Sequence, residues 1–167
     1  MAEKDKVFSS KIKYSGVFNF GEFYKFCFEW FRDEAGIDMT EEKYAEKLSG
    51  DSKNIDVEWS GSAKMTDYFK MEVKVSFRII GLTSVELSDG NRKIKTNKGS
   101  AEVSIKGTLV KDYGSKFEKS GFQKFLRGVY EKTVIPSRVS EYQEKVMKTC
   151  DEFLAQSKAY LDLEGKK

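Results

Sequence analysis

From Phe69 to Ile79 every second residue is apolar: Phe69, Met71, Val73, Val75, Phe77 and Ile79, with Lys70, Glu72, Lys74, Ser76 and Arg78 between them. A period of two belongs to a strand with one face buried and the other in water, and a helix cannot gather such residues onto one side. The same alternation extends in both directions, from Tyr44 to Lys111. Tyr44, Glu46 and Leu48 read as a short strand. Ile55, Val57, Trp59, Gly61 and Ala63 form the inner face of the next. Beyond the break expected at Gly81, Val85 and Leu87 lead into Asp89-Gly90, a strong hairpin signal. Arg92–Thr96 is then the returning strand, Asn97-Lys98-Gly99 a further turn, and Ala101, Val103, Ile105, Gly107 and Leu109 the last alternating face.

Different patterns flank this region. Phe8, Ser10, Ile12 and Tyr14 alternate with polar neighbours and predict one strand near the start. A helix follows over Phe20–Ala35, capped by Asn19 with Glu22 three residues on, and stopped by Gly36. Only Glu22, Lys25, Glu29 and Arg32 form its polar stripe, so the helix is expected to be buried on most sides. After a polar loop over Lys111–Ser120, helical spacing returns at Phe122, Phe125, Leu126, Val129 and Tyr130. Pro136 either kinks this helix or ends it before a restart. Val139, Tyr142, Val146, Met147, Cys150, Phe153, Leu154 and Leu161 continue one apolar face. From Ser137 to Leu161 such a helix spans roughly 37 Å at about 1.5 Å per residue, enough to cross a sheet.

These elements predict a single α+β domain over residues 1–167: a curved antiparallel sheet of about seven strands gripping a long C-terminal helix, in the order β-α-β6-α. Thirteen Phe, eight Tyr and two Trp can supply its core without disulfides. Phe26 and Phe28 exceed what one core needs, which leaves a homodimer open.

That order resembles the helix-grip topology of the START-like (SRPBCC) superfamily, which includes the major birch-pollen allergen, polyketide cyclases and lipid-transfer domains. The resemblance covers nearly all of the chain and is one of topology. The connection Ser49-Gly50-Asp51-Ser52-Lys53-Asn54 holds one glycine where many plant members have a glycine-rich loop. The text around Asp112-Tyr113 and Phe125-Leu126-Arg127-Gly128 is also similar to that of small archaeal proteins, a likeness that implies no activity. The superfamily resemblance implies a non-enzymatic carrier for an apolar or lipid-like small molecule, held between sheet and helix. Its lining would come from the inward faces: Trp59, Met71, Val75, Phe77 and Ile105 from the sheet, and Tyr142, Val146 and Met147 from the helix. The alternative is a solid-core structural or interaction protein in which these side chains pack on one another. Gly61, Ala63, Ala101 and Gly107 on inward faces leave room for either a ligand or a large neighbour.

Chemistry is sparse. There is no histidine, which excludes imidazole acid–base catalysis, the Ser-His-Asp triad and most zinc sites. Phosphate-binding glycine loops are absent from the sequence. Carboxylate pairs such as Asp33/Glu34, Glu41/Glu42 and Asp56/Glu58 are expected in solvent, where nothing raises a pKa for acid catalysis. No catalytic residue, metal or cofactor is therefore nominated, and the balance leans away from an enzyme. Cys27 and Cys150 fall on apolar helix faces and read as buried free thiols, which fits a reducing, cytoplasmic setting. The N-terminal residues Met1–Lys6 are charged with no apolar run behind them, so neither a leader nor a membrane span is expected.

The net charge of +3 is too small to demand a polyanionic partner. Arg92–Lys119 is the most basic stretch: Arg92, Lys93, Lys95, Lys98, Lys106, Lys111, Lys116 and Lys119 against Glu102, Asp112 and Glu118. Lysine-rich strands often serve solubility and edge protection, and no aromatic RNA-binding motif accompanies this one, so nucleic acid is not expected.

Overall fold

The computed structural model describes residues 3–111 and 136–165. Strand β1 (Glu3–Phe18) is followed by helix α1 (Phe20–Trp30), whose last turn widens into a π-helical segment, Phe31–Ala35. Strands β2 (Met39–Ser49), β3 (Ser52–Lys64), β4 (Phe69–Asp89) and β5 (Arg92–Lys111) then run as a meander. Helix α2 is described from Pro136 to Glu164. The sheet has the order β1-β5-β4-β3-β2 and every pairing is antiparallel.

The α+β class holds, but the sheet has five strands and not about seven. Both missing strands are continuations of their neighbours. Phe69–Ile79 and Val85–Leu87 belong to one strand, β4, and Arg92–Thr96 and Ala101–Leu109 to another, β5. Gly81 does not end β4. It takes a left-handed φ of 65°, and the register passes from Ile80↔Ser100 to Thr83↔Lys98. Gly81 and Leu82 thus stand against Gly99 alone, two residues against one, which is a glycine β-bulge. Gly99 in turn leaves little room for a side chain: a β carbon there would lie 3.1 Å from the Ile80 carbonyl oxygen and 3.1 Å from the Leu82 Cα. Asn97-Lys98-Gly99 is therefore the partner of a bulge, not a turn.

The local signals of α1 act as expected. The Asn19 side chain accepts a hydrogen bond from the Glu22 amide at 3.0 Å, and Gly36 closes the helix with a φ of 69°. Phe18, Phe23, Cys27 and Phe31 are fully buried. The apparent aromatic surplus finds partners within the chain. Phe26 stacks on Tyr160 at 4.6 Å, and Phe28 meets Trp59 edge-on at 5.7 Å.

One face of the sheet carries the core. Ile55, Val57 and Trp59 of β3, Val73 to Ile79 on alternate positions of β4, and Val103, Ile105 and Leu109 of β5 are all buried. α2 covers this face with Val146, Cys150, Phe153, Leu154 and Leu161. Phe153 closes onto Phe31 at 4.5 Å and onto Trp30 at 5.6 Å, so α1 and α2 share one apolar seam. The helix expected over Phe122–Tyr130 and the course of the chain before Pro136 lie outside the described residues.

Candidate functional site

Cross-strand register decides which of the expected lining residues meet. Trp59, Val75 and Ile105 form one row across the inner face, and Val57, Phe77 and Val103 the next. Trp59, Met71, Val75, Phe77, Ile105 and Val146 are buried, and Tyr142 is half-buried. Met147 is 45% exposed and faces away from the sheet, while Val146 beside it is fully covered.

Trp59 and Phe77 meet each other, with ring centroids 4.7 Å apart in an edge-to-face pair. Tyr24 closes the group at 4.9 Å from Trp59. The Trp59 Nε1–H donates to the Tyr24 hydroxyl at 3.1 Å, and that hydroxyl donates onward to Glu41 Oε1 on the edge strand β2. Burial, reinforced by the hydrogen bond to Glu41, pushes the Tyr24 pKa up to about 12. The phenol is thus a fixed donor near neutrality and not a base. Tyr142 stands apart from this group. It lies over Phe69 at 4.7 Å, with the Lys145 ammonium 4.9 Å from its ring centroid. Sequence alone shows no link between Tyr24 and Trp59, because the contact joins a helix to a strand far along the chain.

Two small residues of the inner face, Gly61 and Gly107, lie against large neighbours. Gly61, Val73 and Gly107 share a row, a trough between bulkier rows. Neighbours fill both of its glycine positions. A β carbon on Gly61 would lie 2.6 Å from Met39 Sδ and 2.8 Å from Ile37 Cγ2. One on Gly107 would lie 2.6 Å from Cys150 Sγ and 2.8 Å from Val146 Cγ1. The glycines admit large neighbours, and α2 sits directly on the backbone of β5.

The outer face is polar and carries an open groove of about 480 Å³ lined by Glu42, Glu58, Ser60, Lys74, Ser76, Ser104 and Lys106, among others. Its floor is two adjacent rows. Ser60, Lys74 and Lys106 run across β3, β4 and β5, and Glu58, Ser76 and Ser104 run beside them. Ser60 donates to Glu42 Oε1. Asp56 and Glu58 are exposed, as the alternation predicts. The basic residues of β5 do not form one patch. Arg92 and Lys93 lie at the hairpin tip, Lys106 lies in the groove, and Lys111 is bound by Glu3 and Asp5 at 3.5 and 3.3 Å. At about 3.3 Å per residue, β5 spreads them over roughly 60 Å.

Both cysteines are free and buried, as expected. Among the described residues no group of three or more carboxylate or thiol side chains could hold a metal ion. Within the same residues no helix is long and apolar enough to cross a membrane. Comparison with protein-family models, curated proteins and solved structures finds no match.

Proposed function

We propose that this chain is a non-enzymatic interaction module with a solid interior, which meets its partners through the outer face of its sheet and the open edge of β2. One observation carries this reading: the positions left small on the inner face, Gly61 and Gly107, are occupied by Met39, Ile37, Cys150 and Val146. Interiors filled to near-crystalline density leave no volume for a carried molecule. The contact of Trp59 with Phe77 and Tyr24 supports the same conclusion. So does the exposure of β2, where only Met39 is buried and Leu48 is 75% exposed.

Native mass spectrometry of freshly purified protein tests the reading. The expected result is the bare chain mass under gentle conditions. A co-purifying lipid or apolar metabolite, released by organic solvent, would overturn it in favour of a carrier of the START-like kind.

A further inference from the structure

Lys74 of β4 and Lys106 of β5 are direct cross-strand partners on the outer face. Like charges placed opposite each other destabilise an antiparallel pair. Other lysines of this sheet are held by neighbouring carboxylates: Lys4 and Lys70 both reach Glu72, and Lys11 reaches Glu102. Among the described residues, neither Lys74 nor Lys106 makes an ion pair. The next pair on the same face is Ser76 and Ser104, both half-buried, and neither hydroxyl has a hydrogen-bond partner among the described residues. Two ammonium groups and two hydroxyls thus rise from the corners of a patch about 5 Å by 7 Å, set by strand spacing and rise. All four side chains line the groove.

We infer that this patch is a binding site for a phosphate group. A tetrahedral dianion offers acceptor oxygens to two ammonium and two hydroxyl donors at once, and its charge removes the repulsion between Lys74 and Lys106. Glu58, the cross-strand partner of Ser76, and Glu42, which accepts from Ser60, line the same groove and oppose the anion. The phosphate is either free or the end of a larger phosphomonoester. The inference rests on the outer face as the binding surface, but it stands or falls separately from the solid interior, which mass spectrometry addresses.

Amide NMR titration of the full chain with inorganic phosphate, and in a parallel arm with glycerol 3-phosphate, tests it at constant ionic strength. Saturable shifts centred on Lys74, Ser76, Ser104 and Lys106 are expected, tighter in the second arm if a phosphomonoester is the natural ligand. Lys74→Ala or Lys106→Ala should each weaken binding about tenfold, the loss of one charge-assisted bond. Glu58→Gln should tighten it severalfold. Shifts that do not saturate, that spread evenly over the lysines of the sheet, or that persist in the K74A/K106A double variant would overturn the inference. Both lysines are exposed, so these variants keep the fold, and a thermal melt checks it.

Discussion

Gly107 and Cys150 touch across the sheet–helix interface so closely that a β carbon on the glycine would stand 2.6 Å from the sulfur. Val146 crowds the same point at 2.8 Å. Gly107→Ala must therefore lift α2 or push side chains off their rotamers. Overpacking of this kind costs about 1–3 kcal/mol. Urea denaturation monitored by circular dichroism would measure it, and unchanged stability would show that the interface yields without strain.

The Trp59–Tyr24–Glu41 chain of hydrogen bonds makes a graded prediction. Trp59 is 1% exposed, and Tyr24→Phe leaves its indole N–H without an acceptor. Stranding a buried donor costs about 1–3 kcal/mol. Glu41 is exposed, so Glu41→Gln keeps an acceptor in water and should cost under about 1 kcal/mol. Chemical denaturation of the two variants should rank Y24F as the more damaged. The reverse order would mean that Glu41, not the indole bond, anchors Tyr24.

Alkaline pH should unfold the protein early. Burial raises the pKa of Cys150 from 9.0 to about 12 and that of Cys27 still further. Burial also raises Tyr24 and Tyr160, each from 10.0 to about 12. All four groups are neutral when protonated. Above about pH 9 the unfolded chain gives up these protons while the folded chain holds them, so the unfolded state binds fewer protons and stability falls as pH rises. The loss should run from about pH 9 to about pH 12. In a Cys27→Ala/Cys150→Ala variant its onset should move toward pH 10, where the tyrosines take over. Urea midpoints across pH 7 to 11 would show this, and a flat profile would refute it.

The thiols should be silent in the native state. Cys27 and Cys150 are both 0% exposed, and burial disfavours the thiolate that reacts. An aromatic disulfide reagent should find no reactive thiol at neutral pH and both thiols in denaturant. Prompt native labelling of either would place it at the surface.

The bulge offers a paired test. Gly81 has open space around its missing β carbon, so Gly81→Ala meets only the left-handed backbone, about 1–2 kcal/mol. Gly99→Ala meets the backbone of Ile80, Gly81 and Leu82 at 3.1–3.2 Å and should cost more, since backbone cannot rotate away. Thermal melts should order them wild type, G81A, G99A.

Much of this fold could be read from the sequence wherever the signal was local. The Phe69–Ile79 alternation is the inner face of β4, and Asn19 and Gly36 bound α1 with its π-helical extension. Gly81 and Asn97-Lys98-Gly99 were misleading because a glycine looks the same in a turn and in a bulge. What distinguishes them is the register of β4 against β5, which no local window holds. The site was harder still. Successive helical residues point about 100° apart, so Val146 and Met147 cannot both face the centre of a sheet. Periodicity also leaves the position of a helix along the sheet undefined, and this is why Tyr142 meets Phe69 and not Trp59.

The pairing of β1 with β5 has a consequence for how the chain assembles. β2, β3 and β4 each pair with the strand that follows, and such hairpins can form as each strand appears. β1 cannot: Glu3 lies opposite Lys111 and Phe18 opposite Asn97. Contacts between such distant parts of a chain slow folding. During synthesis the first strand and the aromatic helix behind it must wait, unpaired, until β5 has emerged, and that interval is when the nascent chain is most exposed to aggregation.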